Sequence, residues 1–249
     1  MDGLVLDPHK RAGSTHTVVC LPPAGTGMAF YQGWVNAPGR RSDLVRVQLP
    51  GRGATLFAKP PASLAAVGRS VAEALLADER VAARPVVLFG HSMGAWIAYE
   101  IALLVRSELQ LAALAVSACP PPGVRISAAM GLGDLPDDDF FAQVQERFGE
   151  MPELAAASPK VRRLMLPSMR NDLALCETYV PTAEPELSCP VSTFAGLDDE
   201  IVSMDEVAAW TRLTSGPCRS HTFPGGHLYL PANAQEVLAI VEAEVTASV

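Results

Sequence analysis

A chain of 249 residues, 49% of them apolar, is long and apolar enough to bury a core, which excludes a disordered or fibrous protein. Its 27 acidic against 19 basic residues leave a net charge of −8, and an acidic surface argues against nucleic acid, whose phosphates require a basic face. No run of about 18 apolar residues occurs, so no membrane span is expected, and the first fifteen residues lack the basic-then-apolar order of a secretory signal, so a cytoplasmic location is expected.

The first clear strand is His16 to Leu21, ending in the loop signal Pro22-Pro23-Ala24-Gly25-Thr26-Gly27. Only about fifteen residues precede it, too few for an N-terminal hairpin, so a slightly truncated sheet is expected. Phe30, Tyr31 and Trp34 follow at helical spacing. Asp43 to Leu49 alternates like a strand and stops at Pro50-Gly51-Arg52-Gly53. Ser63 to Ala77 reads as a helix with Leu64, Val67, Val71, Leu75 and Leu76 marking one face. A buried strand, Val86 to Phe89, then a tight turn and an apolar helical run, Ala95 to Leu104, come next, and Leu111 to Ala118 is another apolar strand. Strands alternating with helices predict an α/β fold with a mostly parallel central sheet covered on both faces.

From about 120 to 182 that alternation stops. The stretch holds Pro120-Pro121-Pro122-Gly123, the acidic run Asp137-Asp138-Asp139, and helical segments over Phe140 to Phe148, Pro159 to Met169 and Asn171 to Tyr179. It is expected to form an all-helical lid over an active site within one domain spanning 1–249. Strand character returns at Pro190 to Ala195, Asp205 to Leu213 is a helix opened by an acidic residue, Cys218 to Phe223 is the last strand, and Ala234 to Ala247 the closing helix. The five cysteines, Cys20, Cys119, Cys176, Cys189 and Cys218, are scattered and show no metal-binding spacing; Cys20 and Cys119 read as small core residues.

The chemistry concentrates at Gly90-His91-Ser92-Met93-Gly94, a G-x-S-x-G turn between strand and helix. Such a turn exposes the serine hydroxyl and aims helix N-terminal N–H groups at whatever it attacks. A serine hydroxyl needs a base, and the base an orienting carboxylate. Two histidines follow Ser92. His221 lies inside the last strand, whereas His227 sits beyond it behind two glycines, free to bend over the serine; His227 is the expected base. His91 adjoins the serine on a diverging turn and reads as structural. The loop after Ala195 offers Asp198, Asp199 and Glu200, and the spacing does not separate the two aspartates. Met93 N–H and an N–H near Ala24 and Gly25 are the expected oxyanion donors.

Taken together, Cys-Leu-Pro-Pro-Ala-Gly (20–25), Leu-Pro-Gly-Arg (49–52), Leu-Phe-Gly-His-Ser-Met-Gly-Ala (88–95), Pro-Ser-Met-Arg-Asn-Asp (167–172) with Glu177-Thr178-Tyr179, Gly-Leu-Asp-Asp-Glu-Ile-Val (196–202) and Pro-Gly-Gly-His-Leu-Tyr-Leu (224–230) resemble the stand-alone type II thioesterases of polyketide and non-ribosomal peptide synthesis, of the α/β-hydrolase fold. The resemblance implies Asp199 as the carboxylate, Ser92, Asp199 and His227 as the triad, and Ala24 with Met93 as the oxyanion donors. It implies hydrolysis of acyl thioesters on the phosphopantetheine arm of acyl or peptidyl carrier proteins, through an acyl-enzyme and without metal or organic cofactor, in a protein expected to be a monomer. One segment departs from the family pattern: where Pro-His-Ala-Gly-Gly is usual, this chain has Pro22-Pro23-Ala24-Gly25-Thr26. An ester hydrolase, a product-releasing or cyclising thioesterase, and a non-catalytic interaction protein are the competing readings. Lys160, Arg162, Arg163 and Arg170 cluster in the lid of an acidic protein and are candidates for docking an acidic carrier, against the alternative of a solvated helix face.

Overall fold

In the computed structural model, which describes residues 1–124, 126, 131–149, 151, 157–181 and 187–245, seven strands form one sheet. They are β1 (Val5–His9), β2 (Thr17–Leu21), β3 (Asp43–Gln48), β4 (Val86–His91), β5 (Leu111–Ser117), β6 (Val191–Gly196) and β7 (Cys218–Phe223), in the order β1-β3-β2-β4-β5-β6-β7. All pairs are parallel except β1 with β3. The helices are α1 (Gln32–Val35), α2 (Leu64–Ala77), α3 (Glu79–Ala82), α4 (Met93–Val105), α5 (Asp137–Phe148), α6 (Pro159–Thr178), α7 (Met204–Ala208) and α8 (Ala234–Ala243).

The central strands β2 and β4 are buried along their whole length, which explains their unbroken apolar runs. One core, around Val71, Leu88, Ile97 and Trp210, fills one face of the sheet, and a second, around Trp34, Phe89, Phe194 and Val241, fills the other. Strand β1 departs from the sequence expectation, which begins the sheet at His16. Its burial is partial and it contains Pro8, which an edge strand tolerates because one row of its backbone groups needs no partner. β1 does not pair with β2, its neighbour in the sequence, but runs antiparallel beside β3.

Between β5 and β6 the described residues hold α5 and α6 and no strand. The expected helices 159–169 and 171–179 are one twenty-residue helix, α6, running through Pro167. Proline removes one backbone bond, but Leu166, Met169 and Leu173 pack continuously into a separate core with Phe140, Val144 and Phe148 of α5 and hold the helix together. Of the expected lid, residues 125, 127–130, 150, 152–156 and 182 lie outside the described residues, as do 246 and 247 of the closing helix. Among the described residues no helix is long and apolar enough to cross a membrane, and no cluster of His, Cys, Asp and Glu could hold a metal ion.

Candidate active site

Parallel strands deliver their carboxyl ends to one edge of the sheet, and four loops meet there. Ser92 follows β4 with φ 52° and ψ −124°, a left-handed conformation that is strained for a residue with a Cβ. Its N–H donates to Ser117 O at 2.7 Å, pinning the turn to β5. The flanking glycines are sterically required: a Cβ on Gly94 would lie 2.1 Å from Leu21 O, and one on Gly90 2.1 Å from Gly94 O.

His227 lies beyond β7, its Nε2 3.0 Å from Ser92 Oγ and its Nδ1 3.0 Å from Asp199 Oδ2. The spacing left two aspartates open; the structure puts Asp199 on the imidazole, while Asp198 bonds Gly225 N at 3.3 Å. Asp199 Oδ1 accepts from Ile201 N and Val202 N at 2.9 and 3.2 Å, and the side chain has no exposed surface. Burial by itself would raise the Asp199 pKa. The hydrogen bond and charge of His227, with the two backbone donors, outweigh it and hold the carboxyl below its ordinary value.

His91 does not reach the serine. Its Nε2 lies 2.9 Å from the His227 carbonyl, which can only accept, so Nε2 carries the proton and Nδ1 accepts from Ser117 Oγ at 2.8 Å. Ser117 in turn accepts from Tyr229 OH at 2.7 Å. Burial, then the neighbouring His227, pushes the His91 pKa down to about 3, so the ring is a neutral strut holding the backbone of His227. His221 is stacked on Phe194 at 5.0 Å, in the strand and away from the serine.

Ser92 and His227 open onto a cavity walled by Ala24, Val144, Phe148, Met169, Leu173 and Cys176, with no Asp, Glu, Lys or Arg among its described lining. Phe148 packs edge-on against the His227 ring at 5.8 Å. Burial foremost, and then the charge of Asp172, push the Cys176 thiol far above its ordinary value, so this wall is uncharged. The N–H groups of Ala24 and Met93, the expected oxyanion donors, have no hydrogen-bond partner among the described residues. At Gly25, φ +71° favours glycine, and the terminal methyl of Met169 lies 2.3 Å from where a Cβ would sit. The close neighbour there is α6.

The four lid cations do not form one free patch. Arg170 donates to the carbonyls of Gly133 and Leu135 at 2.7 and 2.6 Å and to Asp137 at 3.0 Å, and it lies 4.0 Å over the Phe140 ring; it staples α6 to the entry of α5. Arg162 lies 4.0 Å over Phe141 and is half-buried. Lys160 and Arg163 are exposed. Sequence reasoning gave no role to Arg52, Asp172, Ser117 or Tyr229. Arg52 and Asp172 stood in the two segments most specific to the family resemblance, and the structure pairs them, Arg52 donating to both carboxylate oxygens of Asp172 at 2.6 and 2.8 Å.

Comparison with known proteins finds thioesterases along nearly the whole chain. A thioesterase from Streptomyces venezuelae, PikA5, is 31% identical over 92% of this chain and 80% of its own length. The structure of BorB, a type II thioesterase from the borrelidin biosynthetic cluster, superposes with a TM-score of 0.82 at 33% identity, covering 97% of this chain and 96% of that one. RedJ, a thioesterase from the prodiginine pathway of Streptomyces coelicolor, gives a TM-score of 0.82 at 30% identity, covering 94% and 91%. With the family model for the thioesterase domain matching residues 16–245, this chain belongs to the thioesterase family and is a serine hydrolase of the α/β-hydrolase fold acting on thioesters.

Proposed function

We propose that this enzyme hydrolyses acyl groups from the phosphopantetheine arm of acyl or peptidyl carrier proteins, clearing misprimed or stalled chains in polyketide or non-ribosomal peptide synthesis. The observation that carries the reading is the continuous line Asp199–His227–Ser92, with 3.0 Å at each contact, at the mouth of an apolar cavity. Relatives named as biosynthetic thioesterases support the choice of pathway.

In this reading His227 Nε2 takes the Ser92 proton as Oγ attacks the thioester carbonyl. The oxyanion gathers donors from Ala24 and Met93 N–H, and the imidazolium is stabilised by Asp199. Collapse breaks the C–S bond, and His227 returns its proton to the leaving thiolate. Water, deprotonated by the same nitrogen, then attacks the acyl-enzyme, and Ser92 leaves with that proton. Asp199, held below the ordinary carboxylate range, stays ionised throughout. The stretch carrying α5 and α6 serves as the lid, and the arm passes it to reach Ser92. A cytoplasmic setting fits five free cysteines.

Because the described lining of the cavity includes no Lys or Arg to pair with a carboxylate, acetyl and propionyl groups should be removed faster than malonyl. The test is hydrolysis of a carrier protein loaded with acetyl, propionyl, malonyl or longer acyl groups, with Ser92→Ala as control. Turnover by Ser92→Ala, or indifference to whether the acyl group is carrier-bound or a simple alkyl ester, would overturn the proposal.

A further inference from the structure

Asp172 and Arg52 are 120 positions apart, yet their side chains are buried together at 0% and 4% exposure and meet as a two-pronged ion pair. Both also grip the loop after β2. Asp172 Oδ2 accepts from Gly25 N at 2.9 Å, and Arg52 Nη1 donates to Thr26 O at 2.9 Å. Thr26 adds a third hold, its hydroxyl donating to Pro23 O at 3.1 Å beside the longer backbone bond from Thr26 N at 3.3 Å.

We propose that Asp172, Arg52 and Thr26 are positioning residues for the oxyanion donor at Ala24. The inference rests on the reading of Ala24 N–H as that donor. The peptide unit is planar and trans, so its N–H points opposite to its C=O. Fixing Pro23 O against Thr26 therefore directs Ala24 N–H out of the far side of the turn, and Ala24 shares the cavity wall with Ser92. Fixing Gly25 N–H on Asp172 sets the next peptide plane. Pro22 and Pro23 have no N–H of their own, so the loop makes few internal bonds and depends on these external ones. Thr26 stands where the family pattern has a second glycine, and its hydroxyl supplies a hold that glycine lacks.

The pair is more than a strut for α6. That helix is tied to the body independently of Asp172, by Ser168 to Gly51 O, Asn171 to Pro61 O at 3.1 Å and, just past its end, Tyr179 OH to Glu100 at 2.8 Å. Removing the Asp172 carboxylate should leave α6 in place and release the loop. A donor displaced by about 1 Å is enough to cost about 100-fold in turnover.

The test compares Asp172→Leu, which has no acceptor for Gly25 N–H, and Thr26→Val with the parent enzyme on an acetyl thioester of free phosphopantetheine. It reads kcat, KM, the pH profile of kcat/KM, and affinity for an acyl trifluoromethyl ketone, which forms an oxyanion on Ser92. Asp172→Leu should lower kcat about 10- to 100-fold. KM and the position of the pH profile should not move, and ketone affinity should fall in parallel with kcat. Thr26→Val, at a half-buried position, should do the same to a smaller degree, about 3- to 10-fold, and decides the matter if Asp172→Leu does not fold. Parent-like kcat in a folded Asp172→Leu and in Thr26→Val, or a change confined to KM, overturns the positioning role while leaving the hydrolase reading intact. A parent enzyme that binds the ketone no tighter than the matching amide, or a Ser92→Ala protein that still turns over, overturns the reading beneath it instead.

Discussion

Replacing Asp199 by asparagine removes one charge and leaves the loop's shape. The Asn carbonyl can still accept from Ile201 and Val202 N–H, at 2.9 and 3.2 Å in the parent, so the turn after β6 is kept. Its NH₂ then faces His227 Nδ1, which must become an acceptor. The ring proton moves to Nε2, where it points at Ser92 and can no longer take the serine proton. The imidazolium of the transition state also loses its partner. At 3.0 Å and an effective dielectric constant of about 20, that attraction is worth about 5.5 kcal/mol. At about 1.4 kcal/mol per decade this corresponds to a kcat about 10⁴-fold lower, with KM for a small acyl thioester nearly unchanged. Release of the thiol followed with a thiol-reactive chromophore measures it, with the thermal midpoint as a control for folding. A folded Asp199→Asn enzyme within tenfold of the parent would refute the assignment of Asp199 as the orienting carboxylate.

Three further outcomes follow from the geometry. The unfolded chain protonates His91 near pH 6.5 while the folded one resists to about 3, so stability falls as pH drops through that window, by up to about 1.4 kcal/mol per unit; His91→Gln, which keeps a donor for the His227 carbonyl, should flatten urea midpoints between pH 7 and 5 by about one proton, and an unchanged slope would refute the neutral strut. Gly94→Ala forces a Cβ to within 2.1 Å of Leu21 O and should cost about 3 kcal/mol or more in urea unfolding, a loss below about 1 kcal/mol being incompatible with the turn described. If the exposed pair Lys160 and Arg163 meets an acidic carrier, reversing both to Glu should raise KM for a carrier-bound acyl group and spare the free phosphopantetheine thioester; equal effects on the two would show that the pair does not dock the carrier.

The turn at Ser92 was legible because its constraints are local: strand, glycine, serine, glycine and helix are contiguous, and each glycine meets atoms of the turn or of the adjacent strand. His227 was legible by elimination, since only it follows a strand end behind two glycines. The continuity of α6 through Pro167 was not legible, because a proline's local penalty is outweighed by packing against α5, which lies many residues away. Nor was β1, a half-exposed edge strand containing proline whose partner among the described residues is β3. Arg170 looked like a free cation in a basic cluster until its carbonyl acceptors at 133 and 135 came within reach.

What the sequence determined by itself was the alternation of strand and helix, the serine on its strained bend, and the histidine placed to serve it. All three depend on backbone preference and hydrophobic pattern over a few consecutive residues. Spacing left Asp198 and Asp199 open and the family resemblance implied Asp199; the contact of Asp199 with His227, and the joining of Arg52 to Asp172 behind the loop at Ala24, belonged to the tertiary structure. A hydrogen bond needs its atoms near 3 Å and aligned, and no spacing along the chain encodes that condition for groups brought together only when the sheet closes its far edges onto one site.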